Sequence, residues 1–560
     1  MNINYELLQF YVYKKLITKK DAQQILEECN LLQASARERL FANKFVTERS
    51  ELDARGEYYC IPSIEVDMLA IEKKYFKRFS YGLMKKHKII PVMRTDDGTF
   101  VFATAKPVDC HTRSVVASQF SGKVDFILVP SIDIDRLIDS ASAADTTQEA
   151  VEDINSEEGT GTNQRGEEVE IQTEGEVINN PVVRLVDSII KEAIPARASD
   201  IHIEPFEKTV QVRYRVDGDL QERISFRSEA YPAVCARLKI ISGLNIAERR
   251  SPQDGRINMT IGGKEYDFRV STLPTVFGEK FVIRILDKTS FEFTREELGF
   301  SDEDSKVVDK MLAHPHGIIL LTGPTGCGKS TTLYSFLKEV NDSKVNIVTV
   351  EDPVEFTMDG INQTQVNPKA NLTFAAALRS ILRQDPDIIM IGEIRDEETA
   401  EIAVRSAITG HIVFSTLHTN DAPGAILRLE DMKVDDYLVA DALVGVIAQR
   451  LVKRLCPACK KRVKTTAVEN KMLGIEESAW VYKPAGCQFC NNTGYKGRIG
   501  VYEIMYMNEE MKTAALEKKN LEELRKKAVE NGMVPLSESC KKLVLKGITS
   551  VTEFLSLNEE

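Results

Sequence analysis

Gly323-Pro324-Thr325-Gly326-Cys327-Gly328-Lys329-Ser330 reads G-x-x-x-x-G-K-S and follows the apolar run Gly317 to Leu321. A buried strand, a glycine-rich turn and the start of a helix, in that order, make a phosphate-binding loop. Glycines let consecutive N–H groups face phosphate oxygens, Lys329 reaches the β and γ phosphates, and the Ser330 hydroxyl holds Mg²⁺. Thr331, the next residue, completes the candidate nucleotide-binding set.

Outward from the loop, four apolar runs each end in polar residues. Gly317 to Leu321 precedes the loop, Asn346 to Val350 precedes Glu351-Asp352, Asp387 to Ile391 precedes Gly392-Glu393, and His411 to Thr416 precedes His418. Continuous apolar runs are the mark of buried parallel strands, and open α/β sheets bind ligands beyond the carboxyl ends of their strands. Hydrolysis at such a site needs an oriented water, a base and positive charge on the γ-phosphate oxygens. Glu351 and Glu393 supply the base and the metal shell, while His418 either senses the γ-phosphate or bonds a neighbouring acid. Asp352, Glu355 and Asp396 have capping of the next helix as their simpler role.

At 560 residues the chain has room for three or four domains. A net charge of −12 opposes a protein that works by wrapping nucleic acid. No N-terminal signal-like segment is present, and the longest apolar runs fall short of the roughly 20 residues that span a bilayer, which points to the cytosol. Ten cysteines are expected to be mostly thiols there. Cys456-Pro-Ala-Cys459 and Cys487-Gln-Phe-Cys490 form two C-x-x-C knuckles, and four thiolates close a structural Zn²⁺ site. A redox pair would need one knuckle only.

Upstream, Lys15-Leu-Ile-Thr18-Lys19 echoes Lys44-Phe-Val-Thr47-Glu48, each ahead of a helix-like segment with the threonine as N-cap. Strands around 89–92, 99–103 and 125–129 with a helix between them make a small α/β module. From about Ser140 to Glu176 the chain is acidic, lacks aromatics and reads as a flexible linker. A helix over Pro181 to Ala193, strands at 199–203 and 210–216, a helix at 233–241, a turn at Pro252-Gln-Asp-Gly255 and strands over 256–261, 264–271 and 281–286 make an α+β domain. The phosphate-loop domain is expected to start near Phe291.

The ordered motifs resemble those of the secretion ATPase superfamily, specifically the assembly ATPases of type IV pili and type II secretion (PilB-like and GspE-like). They are Arg197-Ala-Ser-Asp200-Ile-His202-Ile-Glu204-Pro205, Val216-Asp-Gly218, Pro252-Gln-Asp-Gly-Arg256 and Arg269-Val-Ser-Thr-Leu-Pro-Thr275, followed by the loop itself. The aspartate box Val350 to Glu355, the Walker B run Asp387 to Asp396 and the histidine box Thr409 to Ala422 complete the series. The resemblance covers about residues 178 to 505. It implies a multidomain α/β fold, with residues 1–139 an N1-like regulatory or docking domain, 140–176 the linker, 177–290 a PAS-like α+β N2 domain, and 291–560 a RecA-like P-loop ATPase domain with a zinc-binding subdomain at about 450–500.

By the same resemblance the protein is a homohexameric motor at the inner face of the cytoplasmic membrane. It hydrolyses ATP to extend a type IV pilus, or a type II secretion pseudopilus, through an inner-membrane platform protein. Glu351 is the implied catalytic base, Glu393 the Walker B acid, and Arg269 and Arg284 the N2 arginines that reach the phosphates. Arg213, Arg215 and Arg256 are substitutes. In some relatives the N1 domain binds cyclic di-GMP through Arg-Leu-Gly-type motifs; cyclic di-GMP is carried as a partner, although no clean copy is present. Retraction ATPases typically lack the N1 domain and the four cysteines. A nucleic-acid translocase would need a nucleic-acid module that the sequence does not show, and no nucleic-acid partner is expected. A scaffold with vestigial hydrolysis is opposed by the intact Lys329, Ser330, Glu351 and Glu393. Cys327 replaces the commoner serine and suggests thiol sensitivity.

Overall fold

The computed structural model describes residues 3–32, 39–40, 45–46, 48–64, 75, 81–95, 97–120, 123–130, 134, 138, 181–261, 264–287, 293–487, 490, 492–517 and 519–559. The linker, Thr47 and the expected domain start at Phe291 lie outside those residues. The chain divides into two compact units, residues 1–286 with 487–492 and residues 287–486 with 493–560.

In the first unit, helices α1 (Ile3–Tyr13) and α2 (Lys19–Leu32) pack through Leu8, Tyr11, Ile17, Ala22 and Ile25. Thr18 caps α2 as expected: its hydroxyl accepts from Asp21 N at 3.2 Å, and its own N–H donates to the Asp21 carboxylate at 2.8 Å. Strands β1 (Ile89–Arg94), β2 (Phe100–Thr104) and β3 (Val124–Leu128) form a small sheet, antiparallel between β1 and β2 and parallel between β2 and β3.

The second module of this unit is a six-stranded sheet in the order β6-β5-β4-β9-β8-β7. Its strands are β4 (Ala198–Pro205), β5 (Thr209–Val216), β6 (Asp219–Arg227), β7 (Gln253–Ile261), β8 (Lys264–Thr275) and β9 (Gly278–Asp287). Val210, Val212, Tyr214 and Val216 alternate along β5 and point into one core with Leu185, Val186, Ile189 and Ile190 of the helix Pro181–Ala193. Full burial of each such side chain contributes about 1.5–3 kcal/mol. Gln253 to Gly255 form the start of β7 rather than the expected turn, paired with Thr272, Ser271 and Val270. Gly255 is required there because a Cβ would lie 2.4 Å from the Ser242 carbonyl oxygen.

The second unit is built on a seven-stranded sheet, β12-β11-β13-β14-β10-β15-β18. The strands are β10 (Gly317–Thr322), β11 (Ile347–Glu351), β12 (Ile361–Gln365), β13 (Ile388–Ile391), β14 (Ile412–Leu417), β15 (Leu443–Leu455) and β18 (Tyr495–Tyr506); a separate ribbon pairs β16 (Lys461–Lys464) with β17 (Trp480–Lys483). All pairings in the large sheet are parallel except β15 with β18. Ile318 and Leu320 of β10 face one core while Ile319 and Leu321 face the other, which is why the strand reads as an unbroken apolar run. Parallel strands put every carboxyl end on one edge, and the phosphate loop leaves β10 at that edge.

Candidate nucleotide-hydrolysis and metal sites

The helix Lys329–Val340, hereafter α3, begins directly after the loop. Its N-cap is Gly328 in the left-handed region (φ 91°), with no side chain capping the first turn, so the first-turn N–H groups are left for an anion. Gly323 (φ +145°) is equally constrained, since a Cβ there would lie 2.5 Å from the Gln449 carbonyl oxygen of β15. The loop thus rests on β15, and Thr332 of α3 donates its hydroxyl to the Gln449 side-chain oxygen at 2.9 Å.

Lys329 is buried and donates its ammonium to the carbonyls of Gly323 (2.6 Å) and Pro324 (3.1 Å). Burial lowers its pKa, opposed by the nearby Glu393 carboxylate. Pro324, Thr325, Gly326 and Ser330 are exposed, and Thr331 is half-buried. Ser330 lies in the first turn of α3 with its side chain exposed. Cys327 is buried, and burial pushes its thiol pKa up. Both facts oppose the expected thiol sensitivity, because the thiolate is the reactive form.

Glu393 follows β13. One of its oxygens lies 3.3 Å from His418 Nε2 and the other 2.5 Å from an Arg395 guanidinium nitrogen. The Ser415 and Thr416 hydroxyls donate to the Ile391 and Gly392 carbonyls at 2.8 Å each, fixing β14 against the turn that carries Glu393. Thr322 and Thr419 share a 2.7 Å hydroxyl hydrogen bond, which ties the end of β10 to the histidine box. Glu393, His418 and Lys329 are therefore assembled at one sheet edge.

Glu351 ends β11. Its side chain is buried and accepts from the Tyr334 hydroxyl, from Thr349 at 2.6 Å and from Gln363 at 3.1 Å. A carboxylate held by three donors of its own domain anchors them. Glu355, four residues on, is half-buried, and its N–H donates to the Tyr334 hydroxyl at 3.3 Å. Asp396 caps the helix Glu397–Ile408 by accepting from Thr399 N at 2.9 Å, the simpler role.

Sequence reasoning passed over Gln449 and Arg450, which no motif marks. Arg450 is buried beside the loop and donates to the carbonyls of Gln449 and Asn420, at 3.1 Å each. Only the pairing of β15 with β10 brings them there. In the first unit, Arg284 is exposed with Nε 3.0 Å from an Asp200 carboxylate oxygen. Arg269 lies on β8 opposite Arg256 of β7.

The four sulfur atoms of Cys456, Cys459, Cys487 and Cys490 lie within 4.8 Å of one another, with 3.7 Å between Cys487 and Cys490. Thiolates bound tetrahedrally to zinc at about 2.3 Å sit about 3.8 Å apart, so the donor set fits a closed Zn²⁺ site with no open coordination position. Cys456 and Cys490 are buried, and Cys487 N donates to the Cys490 sulfur at 3.2 Å.

Residues 176–556 match the family model described as type II/IV secretion system protein. The chain belongs to this family. Type II/IV secretion system proteins of this kind are ATP-hydrolysing motor enzymes. Residues 59–148 match the MshEN domain. This family member is 41% identical over 517 residues to the type IV pilus assembly ATPase PilB of Myxococcus xanthus, covering 90% of each chain. It is 47% identical over 382 residues to the type II secretion system protein E of Pseudomonas aeruginosa, covering 68% of this chain and 76% of that one. The ATPase DotB of Yersinia pseudotuberculosis shares the fold at a TM-score of 0.50 and 22% identity, over 67% of this chain and 93% of that one. Among the described residues, no helix is long and apolar enough to cross a membrane.

Proposed function

We propose that this secretion ATPase is a homohexameric motor that drives type IV pilus extension through an inner-membrane platform protein, working peripherally at the cytoplasmic face. The observation that carries this reading is the extent of the likeness to a pilus assembly ATPase, 90% of both chains, against 68% of this chain for the secretion relative. The 47% identity to the latter favours type II pseudopilus assembly as the second reading.

In the proposed mechanism the first-turn N–H groups of α3 receive the phosphates and Lys329 exchanges its loop carbonyls for the β and γ oxygens, while Ser330 would hold Mg²⁺, which when bound would supply positive charge to the phosphates. Glu393, positioned by His418 and Arg395, orients the attacking water, while Glu351 keeps Tyr334 and Gln363 in place. Arg269 and Arg284 are the arginines we assign to the developing charge on the γ-phosphate. Cys456, Cys459, Cys487 and Cys490 hold Zn²⁺ structurally. We take residues 1–139, 140–176, 177–290 and 291–560 as the working parts. The MshEN match supports cyclic di-GMP as the ligand of the first part, tested by isothermal titration.

The test is deletion of the gene with complementation by the wild type and by Lys329→Ala. Loss of surface pili restored only by the wild type supports the reading. Normal piliation with loss of a secreted protein instead establishes the second reading.

A further inference from the structure

Between the two cysteine pairs the chain makes an excursion, residues 460–486, that the ATPase site does not use. It carries Lys460, Lys461, Arg462, Lys464, Lys471 and Lys483 against Glu469, Glu476 and Glu477, a local excess of three positive charges in a chain of net −12. Its frame is the ribbon of β16 and β17, with Arg462 opposite Tyr482, Val463 opposite Val481 and Lys464 opposite Trp480. Alternation sorts these by face. Val481 is fully buried and Val463 packs on the same core, so their face is turned inward.

The other face carries Arg462, Lys464, Trp480 and Tyr482, and its outer half is open. Trp480, the single tryptophan of the chain, is 47% exposed. The Arg462 guanidinium lies 4.6 Å and the Lys464 ammonium 5.5 Å from its ring centroid. At the inner half, Lys460 donates to the Gly547 carbonyl at 2.8 Å, which fixes the ribbon to the body of the domain. The helix Ala467–Leu473 between the two strands exposes Val468 (63%) and Met472 (46%) one turn apart. Of the acids, Glu469 is neutralised by Lys483 at 2.8 Å.

A half-exposed indole between two cations, on an excursion whose helix also exposes Val468 and Met472, matches the polar-apolar boundary of a lipid surface. A nucleic acid would use the cations and the ring but not Val468 or Met472. We propose that this ribbon is a docking surface for an anionic bilayer, with Arg462 and Lys464 on lipid phosphates and Trp480 at headgroup depth. The inference deepens the peripheral membrane placement proposed above and is independent of the pilus-versus-secretion question. Each cation near an anionic leaflet strengthens binding about five-fold, so removing two weakens it about 30-fold.

The experiment uses the full-length protein and two sets of vesicles, phosphatidylcholine alone and an equal mixture with phosphatidylglycerol. Flotation with the mixed vesicles only, together with a blue shift of the Trp480 emission, is the expected result. Arg462→Gln with Lys464→Gln should weaken the partition about 30-fold and leave ATP turnover in solution unchanged. Flotation without an emission shift, or undiminished binding by that double variant, overturns the proposal. An emission shift with polyglutamate or a single-stranded oligonucleotide but not with vesicles also overturns it, in favour of an acidic protein or a nucleic acid. Because turnover is measured on the same samples, failure to bind lipid is distinguished from failure of the ATPase itself.

Discussion

Tyr334 in α3 donates its hydroxyl to Glu351 at the end of β11, so the helix that starts with Lys329 is latched to a strand on the far side of β14 and β13 in the sheet. Burial raises the phenol pKa well above its ordinary value, which keeps it a donor at any physiological pH. Tyr334→Phe should cost about 1 kcal/mol of stability, and Glu351→Gln about 1–3 kcal/mol, because an amide N–H then faces donors. Urea unfolding of both variants and of the double variant checks this. A coupling energy near zero would show that the latch contributes nothing.

Lys329→Ala and Glu393→Gln should each lower ATP turnover by at least about 10²-fold while leaving thermal unfolding close to that of the wild type. Steady-state hydrolysis assays with melting curves on the same preparations decide it. Near wild-type turnover in both would remove the site assignment.

The purified protein should hold about one zinc per chain by elemental analysis. Cys456→Ser with Cys459→Ser should lose the metal and lower the melting temperature, since the binding free energy of a structural site is folding free energy. Wild-type protein free of zinc when purified without chelator would refute the cluster.

A thiol-alkylating reagent at neutral pH should leave the ATPase rate unchanged over the time in which exposed Cys60 and Cys110 react fully. Cys327→Ser should hydrolyse ATP within about two-fold of the wild type, well under about 1 kcal/mol of barrier. Rapid inactivation that Cys327→Ser abolishes would show that the loop opens to the reagent.

Glu503 on β18 is buried, accepts from Ala422 N at 2.8 Å and Leu536 N at 3.2 Å, and has its pKa raised by burial above the ordinary 4.5. Between 4.5 and the raised value the folded state keeps a proton that the unfolded state has released. This group's contribution is therefore full below 4.5 and declines as pH rises through the folded value. Glu503→Gln should flatten that slope in urea midpoints measured from about pH 4 to 8, and an unchanged slope would exclude Glu503 as its source.

The four strands that carry the nucleotide site were legible because both faces of each are buried, leaving runs such as Ile318 to Leu321 without polar interruption. β6 and β12 lie at sheet edges with largely exposed or half-exposed residues, so Asp219 to Arg227 and Ile361 to Gln365 carry little hydrophobic pattern. β15 mixes Gln449, Arg450, Lys453 and Arg454 into its apolar residues and has no turn signal of its own. With it went the two residues that support the loop from below. Glu351 was placed correctly on its strand end, but its partners Tyr334 and Gln363 come from other elements and no spacing rule reveals them.

β15 runs from beside the phosphate loop, where Ala448 pairs with Thr322, to Leu455, and the next residue is the metal ligand Cys456. Roughly eight residues of extended chain span about 26 Å. Antiparallel pairing with β18 stiffens this rod along most of its length. The distance between the nucleotide pocket and the cysteine cluster is thus set like the length of a bone: one end cannot be carried through a stroke without displacing the other.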